Sequence, residues 1–227
     1  MIRNSQPSTY KLLVFDFDGT LVDTVDDIAF HANSVLTDFG FERRPVIAVK
    51  KAIGKGVHEL FLSLAPNFKE NKKDLEGAVS LFKKRYRNDP IRKTKPYPFV
   101  KKMLAGYLKN TQKAIVTNKP QDITRQILRD LKLDIYFTMT VGMFSDYAPK
   151  PDPTATEFVM RKLRALPRQT LFIGDSEIDS MTAYNANISF GWVKYGYGPM
   201  PELAPAFKFR NALAWGAIPV LQEKMVC

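Results

Sequence analysis

The segment "KLLVFDFDGTLVDT", residues 11–24, carries the clearest indication of how this chain folds. An apolar run ends directly in Asp16 and Asp18, and Gly19 follows. Asp-Gly between apolar runs is a strong signal for a tight hairpin, so a simple turn is one interpretation. However, the run before Asp16 does not alternate as a half-exposed hairpin strand would, and a helical period begins soon after Gly19. The pattern favours a buried strand that ends in two carboxylates.

Composition narrows the class of protein. The chain has 227 residues and a hydrophobic content of 45%, which is enough for a substantial core. Neither the first residues nor any later run is apolar over the length of a signal peptide or membrane span, so we expect a cytoplasmic protein with no membrane partner. The only cysteine is Cys227, which excludes an intramolecular disulfide and a cysteine-based metal site.

The charge balance favours anionic partners. Lysine and arginine number 34 against 23 acidic residues, a formal net charge of +11. Basic runs occur at 83–87 and 92–95 and are typical of a solvated helix face and its exit loop. The chain lacks the motifs of the common nucleic-acid-binding modules, so nucleic acid is an unlikely partner and phosphorylated metabolites are the expected one.

Apolar runs alternate with helical patterns over most of the chain, which predicts an α/β fold with a parallel sheet. The predicted strands are 11–15, 113–119, 135–143, 170–174 and 188–193. The predicted helices are 120–133, 153–166, a short segment carrying Ile178, and a closing helix over 209–225 with Trp215, Ile218 and Leu221 inward.

The alternation stops between residues 24 and 94. One helical stripe runs from Val25 to Gly40 and another from Leu75 to Tyr86, with no strand pattern between them. This insertion after the first strand predicts a small all-helical domain over 24–94. The catalytic core would then comprise 1–23 and 95–227.

Polar residues follow the predicted strands where each strand ends. Asp16 and Asp18 follow the first strand, Thr117 and Asn118 end the second, Asp175 follows a third, and Lys150 lies in a loop. Each has an ordinary explanation alone, such as a turn or a helix N-cap. The carboxyl ends of parallel strands meet at one edge, however, and ligands bind there. Crowded carboxylates repel one another and favour a hard divalent cation, so we expect Mg²⁺, with Lys150 and the Thr117 hydroxyl facing a phosphate.

Four motifs, "DFDGT" (16–20), "VTNKP" (116–120), "KPDP" (150–153) and "GDSEID" (174–179), occur in that order. Together they resemble those of the haloacid dehalogenase superfamily phosphatases, specifically the phosphoglycolate phosphatase-like branch, over nearly the whole chain. The resemblance implies a Rossmann-like parallel sheet core with a small helical cap domain. It also implies a Mg²⁺-dependent phosphomonoester hydrolase that acts on a small phosphorylated metabolite.

The resemblance assigns roles residue by residue. Asp16 is the expected nucleophile, which forms an aspartyl-phosphate, and Asp18 is the expected general acid and base. The expected metal ligands are Asp16, the backbone carbonyl of Asp18, and Asp175. The expected phosphate ligands are Thr117, Asn118 and Lys150, with Thr20 and Asp179 in support. The loop at 194–198 resembles one that borders the site.

The helical insertion corresponds to the family's mobile cap, in which Lys55 and His58 are candidates for selecting an acidic substrate. Asp18 argues against a dehalogenase, since halide leaves without a proton. Three other hypotheses stay open: a phosphomutase of the β-phosphoglucomutase type, a phosphonoacetaldehyde hydrolase-like enzyme using Lys50, Lys51 or Lys55, and a non-catalytic anion or nucleic-acid binder.

Phosphoglycolate is the favoured substrate, and pyrophosphate, nucleoside monophosphates and sugar phosphates are alternatives. The sequence does not indicate the oligomeric state.

Overall fold

The structure is a computed structural model that describes residues 9–143 and 147–220. Its strands are β1 (Leu12–Phe15), β2 (Val22–Asp23), β3 (Lys95–Pro96), β4 (Gln112–Pro120), β5 (Met139–Met143), β6 (Thr170–Gly174), β7 (Ser189–Val193) and β8 (Phe207–Phe209). Six of them form one parallel sheet in the order β5-β4-β1-β6-β7-β8. The predicted α/β fold with a parallel sheet is confirmed.

The α-helices flank this sheet or fill the insertion. They are α1 (Val25–Asp38), α2 (Val46–Ala52), α3 (Val57–Leu64), α4 (Lys72–Asn88), α5 (Val100–Ala105), α6 (Gln121–Asp130), α7 (Thr154–Lys162) and α8 (Glu177–Asn185). Short 3-10 turns lie at Pro66–Lys69, Asp134–Tyr136, Pro167–Gln169 and Ala212–Ala217. None of the helices in the described residues is long and apolar enough to cross a bilayer.

The central strands are buried along their whole length. Every residue of β1 and β6 is buried, as continuous apolar runs in a parallel sheet covered on both faces require. The register pairs Phe15 of β1 with Ile115 of β4 on one side and with Ile173 of β6 on the other. The polar residues that follow these three positions therefore emerge together at one edge of the sheet.

Four helices fill the insertion between β2 and β3. α1 begins with two acids in its first turn, where the helix dipole favours negative charge, and ends before Gly40, which has a φ of +77°. Asn71 is the N-cap of α4, and its side chain accepts a hydrogen bond from the Asp74 N–H at 3.1 Å. The apolar faces of α3 and α4 meet through Phe61 and Phe82, and Phe68 of the intervening 3-10 turn packs on Phe61.

Two details differ from the sequence prediction. A continuous strand over 135–143 is wrong, because residues 134–136 form a 3-10 turn and β5 begins only at Met139. A closing helix is also wrong: a 3-10 turn at Ala212–Ala217 precedes a bridge from Val220 to Tyr10. Gly216 and Pro219, which weaken helices, lie in this segment. Trp215 and Ile218 are buried as predicted.

The sequence did not predict the shortest strands, and two of the residues named above are not among those that the structure describes. The antiparallel β2–β3 ribbon flanks the insertion, and β8 extends the sheet at its edge. Both are too short to leave a clear pattern in the sequence. Leu221 and Cys227 lie outside the described residues.

Candidate active site

Asp16 and Asp18 lie at the carboxyl end of β1, on the turn that Gly19 closes. Gly19 has a φ of +84°, a conformation that an L-residue rarely adopts. Its Cα lies so close to Asp175 that a Cβ there would approach Asp175 Oδ2 to 2.5 Å. The glycine therefore permits both the turn and the close approach of the β1 and β6 ends.

Lys150 joins two of the carboxylates. Its buried Nζ donates to Asp16 Oδ1 at 2.7 Å and to Asp179 Oδ1 at 2.6 Å. Burial alone would lower the pKa of Lys150, but the charges of Asp16 and Asp179 raise it above its ordinary value. The lysine is therefore held as a cation beside Asp16.

Helix α8 fixes the position of Asp179. Ser176 Oγ accepts a hydrogen bond from the Asp179 N–H at 3.4 Å, and Asp179 Oδ2 accepts one from the Ser176 N–H at 3.0 Å. This reciprocal pair is a capping box, which satisfies free N–H groups at a helix start. One side-chain oxygen of Asp179 therefore serves the helix cap and the other faces Lys150.

Asp175 is held from both sides. Its Oδ1 accepts the Thr20 hydroxyl at 2.9 Å, and its Oδ2 accepts the Tyr197 N–H at 2.7 Å. The Tyr195 hydroxyl donates to the Thr20 carbonyl at 2.9 Å, so the loop at 194–198 borders the site. Thr20 thus orients a buried carboxylate.

The carboxylates of Asp16, Asp175 and Asp179 fit a divalent cation. One oxygen from each lies within 4.8 Å of the others, and all three residues are buried. Burial raises the pKa of Asp16 to about 8, with repulsion from Asp179 and Asp175 adding to the rise against the opposing charge of Lys150. Burial followed by repulsion from Asp179 raises the pKa of Asp175 to about 7. The three buried carboxylates outnumber the one lysine that contacts them, so a further positive charge would stabilise their ionised forms. Their oxygens are suitable ligands for a hard cation.

Thr117 and Asn118 lie at the end of β4, next to Asp16. Both are buried, and the Thr117 hydroxyl accepts the Lys119 N–H at 3.2 Å. The Asn118 amide accepts the Lys150 N–H at 2.8 Å and donates to the Lys150 carbonyl at 3.0 Å. It also donates to the Gly54 carbonyl at 2.9 Å. Asn118 therefore ties the Lys150 loop to β4 and to the helical insertion.

A cavity opens between this edge and the insertion. About 60 Å³ of it is accessible to water-sized molecules, which is room for a few waters or a small organic group. Asp16, Asp18, Thr117 and Asn118 line one side. The insertion contributes mainly apolar side chains to the rest, namely Ile28, Ile53, Val57, Leu60 and Phe82.

The structure brings the predicted core residues together but not the predicted cap residues. Asp16, Asp18, Thr20, Thr117, Asn118, Lys150, Asp175 and Asp179 form one cluster. Lys55 and His58 are exposed and do not line the cavity; His58 instead borders a groove with Lys83 and Arg87.

Sequence reasoning missed two side chains that touch Asp18. The Thr24 hydroxyl donates to Asp18 Oδ1 at 2.6 Å, and Lys119 Nζ donates to the same oxygen at 3.0 Å. Lys119 lies within the "VTNKP" motif, and alternation along β4 would have placed it on the same face as Thr117.

Comparison with known proteins identifies the family of this chain. The family model of the haloacid dehalogenase-like hydrolases matches residues 13–193. The chain belongs to this family. A phosphoglycolate phosphatase of Pseudomonas aeruginosa is 34% identical over 209 residues, 88% of this chain and 76% of the relative. A phosphoglycolate phosphatase of Aquifex aeolicus is 31% identical over 198 residues, 87% of this chain and 91% of the relative.

A solved structure extends the likeness to three dimensions. A crystal structure described as a predicted phosphoglycolate phosphatase from Haemophilus somnus aligns with a TM-score of 0.84 at 27% identity. The alignment covers 92% of this chain and 97% of that one. The expectation of a haloacid dehalogenase-like phosphatase, drawn from the four motifs, is confirmed by these relatives.

Proposed function

We propose that this enzyme hydrolyses a small phosphomonoester, of the phosphoglycolate type, through an aspartyl-phosphate on Asp16, with Mg²⁺ as its cofactor. The observation that carries the proposal is the pair Asp16 and Asp18, which line one small cavity while Lys150 holds Asp16 at 2.7 Å. A nucleophile, a proton-transfer group and a fixed cation then serve the same reacting group.

In the first step Asp16 attacks phosphorus and the bond to the leaving oxygen breaks. Asp18 donates a proton to that oxygen, so that an alcohol leaves rather than an alkoxide. Thr24, which donates to Asp18 at 2.6 Å, orients the carboxyl group for this transfer.

In the second step a water molecule attacks the phosphorus of the aspartyl-phosphate. Asp18, now ionised, takes the proton of that water, and inorganic phosphate leaves with Asp16 restored. Each proton that Asp18 gives in the first step is regained in the second.

The remaining residues neutralise and orient the phosphoryl group. Lys150 supplies a positive charge, and the Thr117 hydroxyl supplies a hydrogen bond. The backbone N–H of Asn118 supplies a second hydrogen bond, because the Asn118 side chain is already bonded to the backbone of Lys150. Asp16, Asp175 and the backbone carbonyl of Asp18 would hold Mg²⁺. When bound, Mg²⁺ supplies positive charge to phosphoryl oxygens. Asp179 acts by positioning Lys150.

We further propose that residues 24–94 form a cap over a core of 1–23 and 95–227. The hydrogen bond from Asn118 to Gly54 joins the two at the mouth of the cavity. A closed cap excludes water from the first step and limits the size of the leaving group. The names of the relatives and the 60 Å³ cavity both favour a leaving group of a few atoms.

The test is phosphate release from a panel of phosphomonoesters that includes phosphoglycolate, a sugar phosphate and a nucleoside monophosphate, first with Mg²⁺ and then with excess chelator. The proposal predicts metal-dependent release, fastest from phosphoglycolate. Isomerisation of a sugar phosphate without net phosphate release would instead identify a mutase. Absence of release from every compound would overturn the proposal.

A further inference from the structure

Lys119 is a buried lysine, paired with Asp18, that the proposed chemistry leaves without a role. Its side chain is 3% exposed and lies at the end of β4, two residues after Thr117. Nζ donates to both oxygens of Asp18, at 3.0 and 3.4 Å, and to the Tyr86 hydroxyl at 2.9 Å. It also lies 4.4 Å from the centre of the Tyr86 ring. Burial of an ammonium group is costly, so its retention calls for a specific reason.

Lys119 also occupies a particular position in the cavity. Within the described ranges 9–143 and 147–220, it is the only cationic side chain that lines the cavity. Lys150 approaches Asp16 from outside that lining. The walls that the insertion provides are mostly apolar, so a negative charge on the leaving group would meet no other cation there.

The Tyr86 hydroxyl holds Lys119 Nζ in place at the cavity wall. Tyr86 lies on α4 and lines the cavity beside Lys119. Asp18 has a second donor, the Thr24 hydroxyl at 2.6 Å, so it keeps a hydrogen bond when one N–H of Lys119 turns to a ligand. Lys119 is therefore able to serve an anion in the cavity while it stays anchored on Tyr86.

We propose that Lys119, oriented by Tyr86, is the specificity-determining residue of this enzyme and binds a carboxylate on the leaving-group side of the substrate. The substrate class is a short phosphomonoester that carries a carboxylate within a few atoms of the phosphate. This inference rests on the proposed phosphatase function and adds the residue that selects the acid. It replaces Lys55 and His58, which lie outside the cavity.

The experiment compares kcat/KM for phosphoglycolate with kcat/KM for its amide, phosphoglycolamide, which has the same size but no charge. We expect wild type to favour the acid by about 10- to 100-fold, as a hydrogen bond to a buried charged group supports. Lys119→Met removes the ammonium but keeps a long apolar side chain. Because Lys119 also touches Asp18, both values are expected to fall, and the ratio between them should approach one.

The ratio separates substrate selection from support of Asp18. A ratio in Lys119→Met equal to that of wild type, with both rates reduced together, would overturn the inference and leave Lys119 as a positioning residue for Asp18. Lys55→Met is the matched control and should keep the wild-type ratio. A ratio near one in Lys55→Met, with the wild-type ratio in Lys119→Met, would also overturn the inference. Tyr86→Phe should lower the ratio less than Lys119→Met.

A measurement on wild type guards against a variant that does not fold. The concentration of glycolate that half-inhibits phosphoglycolamide hydrolysis should be lower than that of glycolamide by about tenfold or more. Equal inhibition by the two compounds would contradict the inference. Hydrolysis of both substrates with no preference refutes only the carboxylate site, whereas hydrolysis of no phosphomonoester refutes the proposed function itself.

Discussion

Gly19 is a sensitive position because two separate constraints meet there. Its φ of +84° favours glycine, and a Cβ would approach Asp175 Oδ2 to 2.5 Å. We predict that Gly19→Ala lowers the free energy of unfolding by about 1–3 kcal/mol through backbone strain. It should also lower kcat by at least about tenfold by displacing Asp175.

Gly40 provides the matched control for this substitution. It shares a positive φ, +77°, but among the described residues no atom beyond its chain neighbours lies within 4 Å of the position a Cβ would take. Gly40→Ala should lose a comparable amount of stability and keep wild-type kcat. Thermal melts and steady-state kinetics on the two variants check this. Equal activity in both would show that the close approach at Asp175 does not matter.

Single side chains were predictable where strand ends fixed their position. Asp16 and Asp175 follow neighbouring strands of a parallel sheet, so topology alone brings them together. The prediction for Lys55 and His58 came from the likeness of a loop, which does not indicate the side chains that face the cavity. His58 lies on the exposed side of α3 and Lys55 is exposed just before the helix, whereas Val57 and Leu60 are buried. The importance of Lys119 depends on Tyr86, 33 positions away in sequence, and local pattern does not reveal such a contact.

Helices and long strands were predictable, and the connections around the insertion were not. The stripes of α1 and α4 have a clear helical period, and β1 and β6 are unbroken apolar runs. The β2–β3 ribbon pairs only two residues from each strand, and these are about 70 positions apart. Its formation depends on tertiary contacts rather than on local propensity.

Asp27 on α1 binds the segment through which the chain returns from the insertion to β3. Its carboxylate accepts the N–H groups of Arg92, Lys93 and Thr94 at 2.8 to 3.1 Å and the Thr94 hydroxyl at 2.6 Å. Burial opposes ionisation, but these hydrogen bonds, with that from the Thr94 hydroxyl first among them, lower the pKa of Asp27 below its ordinary value. The ionised side chain therefore stabilises the return from the insertion to β3.

We predict that Asp27→Asn lowers the free energy of unfolding by about 1–3 kcal/mol at pH 7, because an NH2 group replaces one of the two oxygens that accept these hydrogen bonds. Since the pKa is lower in the folded state, the stabilisation is complete above the unfolded pKa of about 4 and declines as pH falls through the folded value. Denaturant unfolding of both proteins from pH 7 to pH 3 measures this. A gap that is constant from pH 7 to about 5 and narrows below 4 is expected; a gap that widens at low pH would contradict it.

The net charge of +11 is concentrated partly beside the cavity. A groove between α4 and α6 is lined by Lys83, Arg87, Arg125 and Arg129, with Asp122 paired to Arg87. Pro120 lines both this groove and the cavity, so the two adjoin. Such a basic surface attracts anionic substrates electrostatically, and dissolved salt weakens this attraction.

We predict that raising NaCl from 20 to 200 mM lowers kcat/KM for phosphoglycolate by about three- to tenfold and leaves kcat nearly unchanged. Arg125→Gln combined with Arg129→Gln should reduce this salt dependence. The control is Lys101→Gln with Lys102→Gln, which removes the same charge from exposed positions on α5. An equal effect of both pairs would assign the attraction to net charge alone.

The most direct test of the whole account is phosphate release from phosphoglycolate by wild type and by Asp16→Asn, each with Mg²⁺ and with chelator, after circular dichroism confirms that both are folded. We predict turnover by wild type only with Mg²⁺, recovery when Mg²⁺ is restored, and a loss of at least about 10⁴-fold in Asp16→Asn under every condition. Turnover by folded Asp16→Asn at the wild-type rate would show that Asp16 is not the nucleophile.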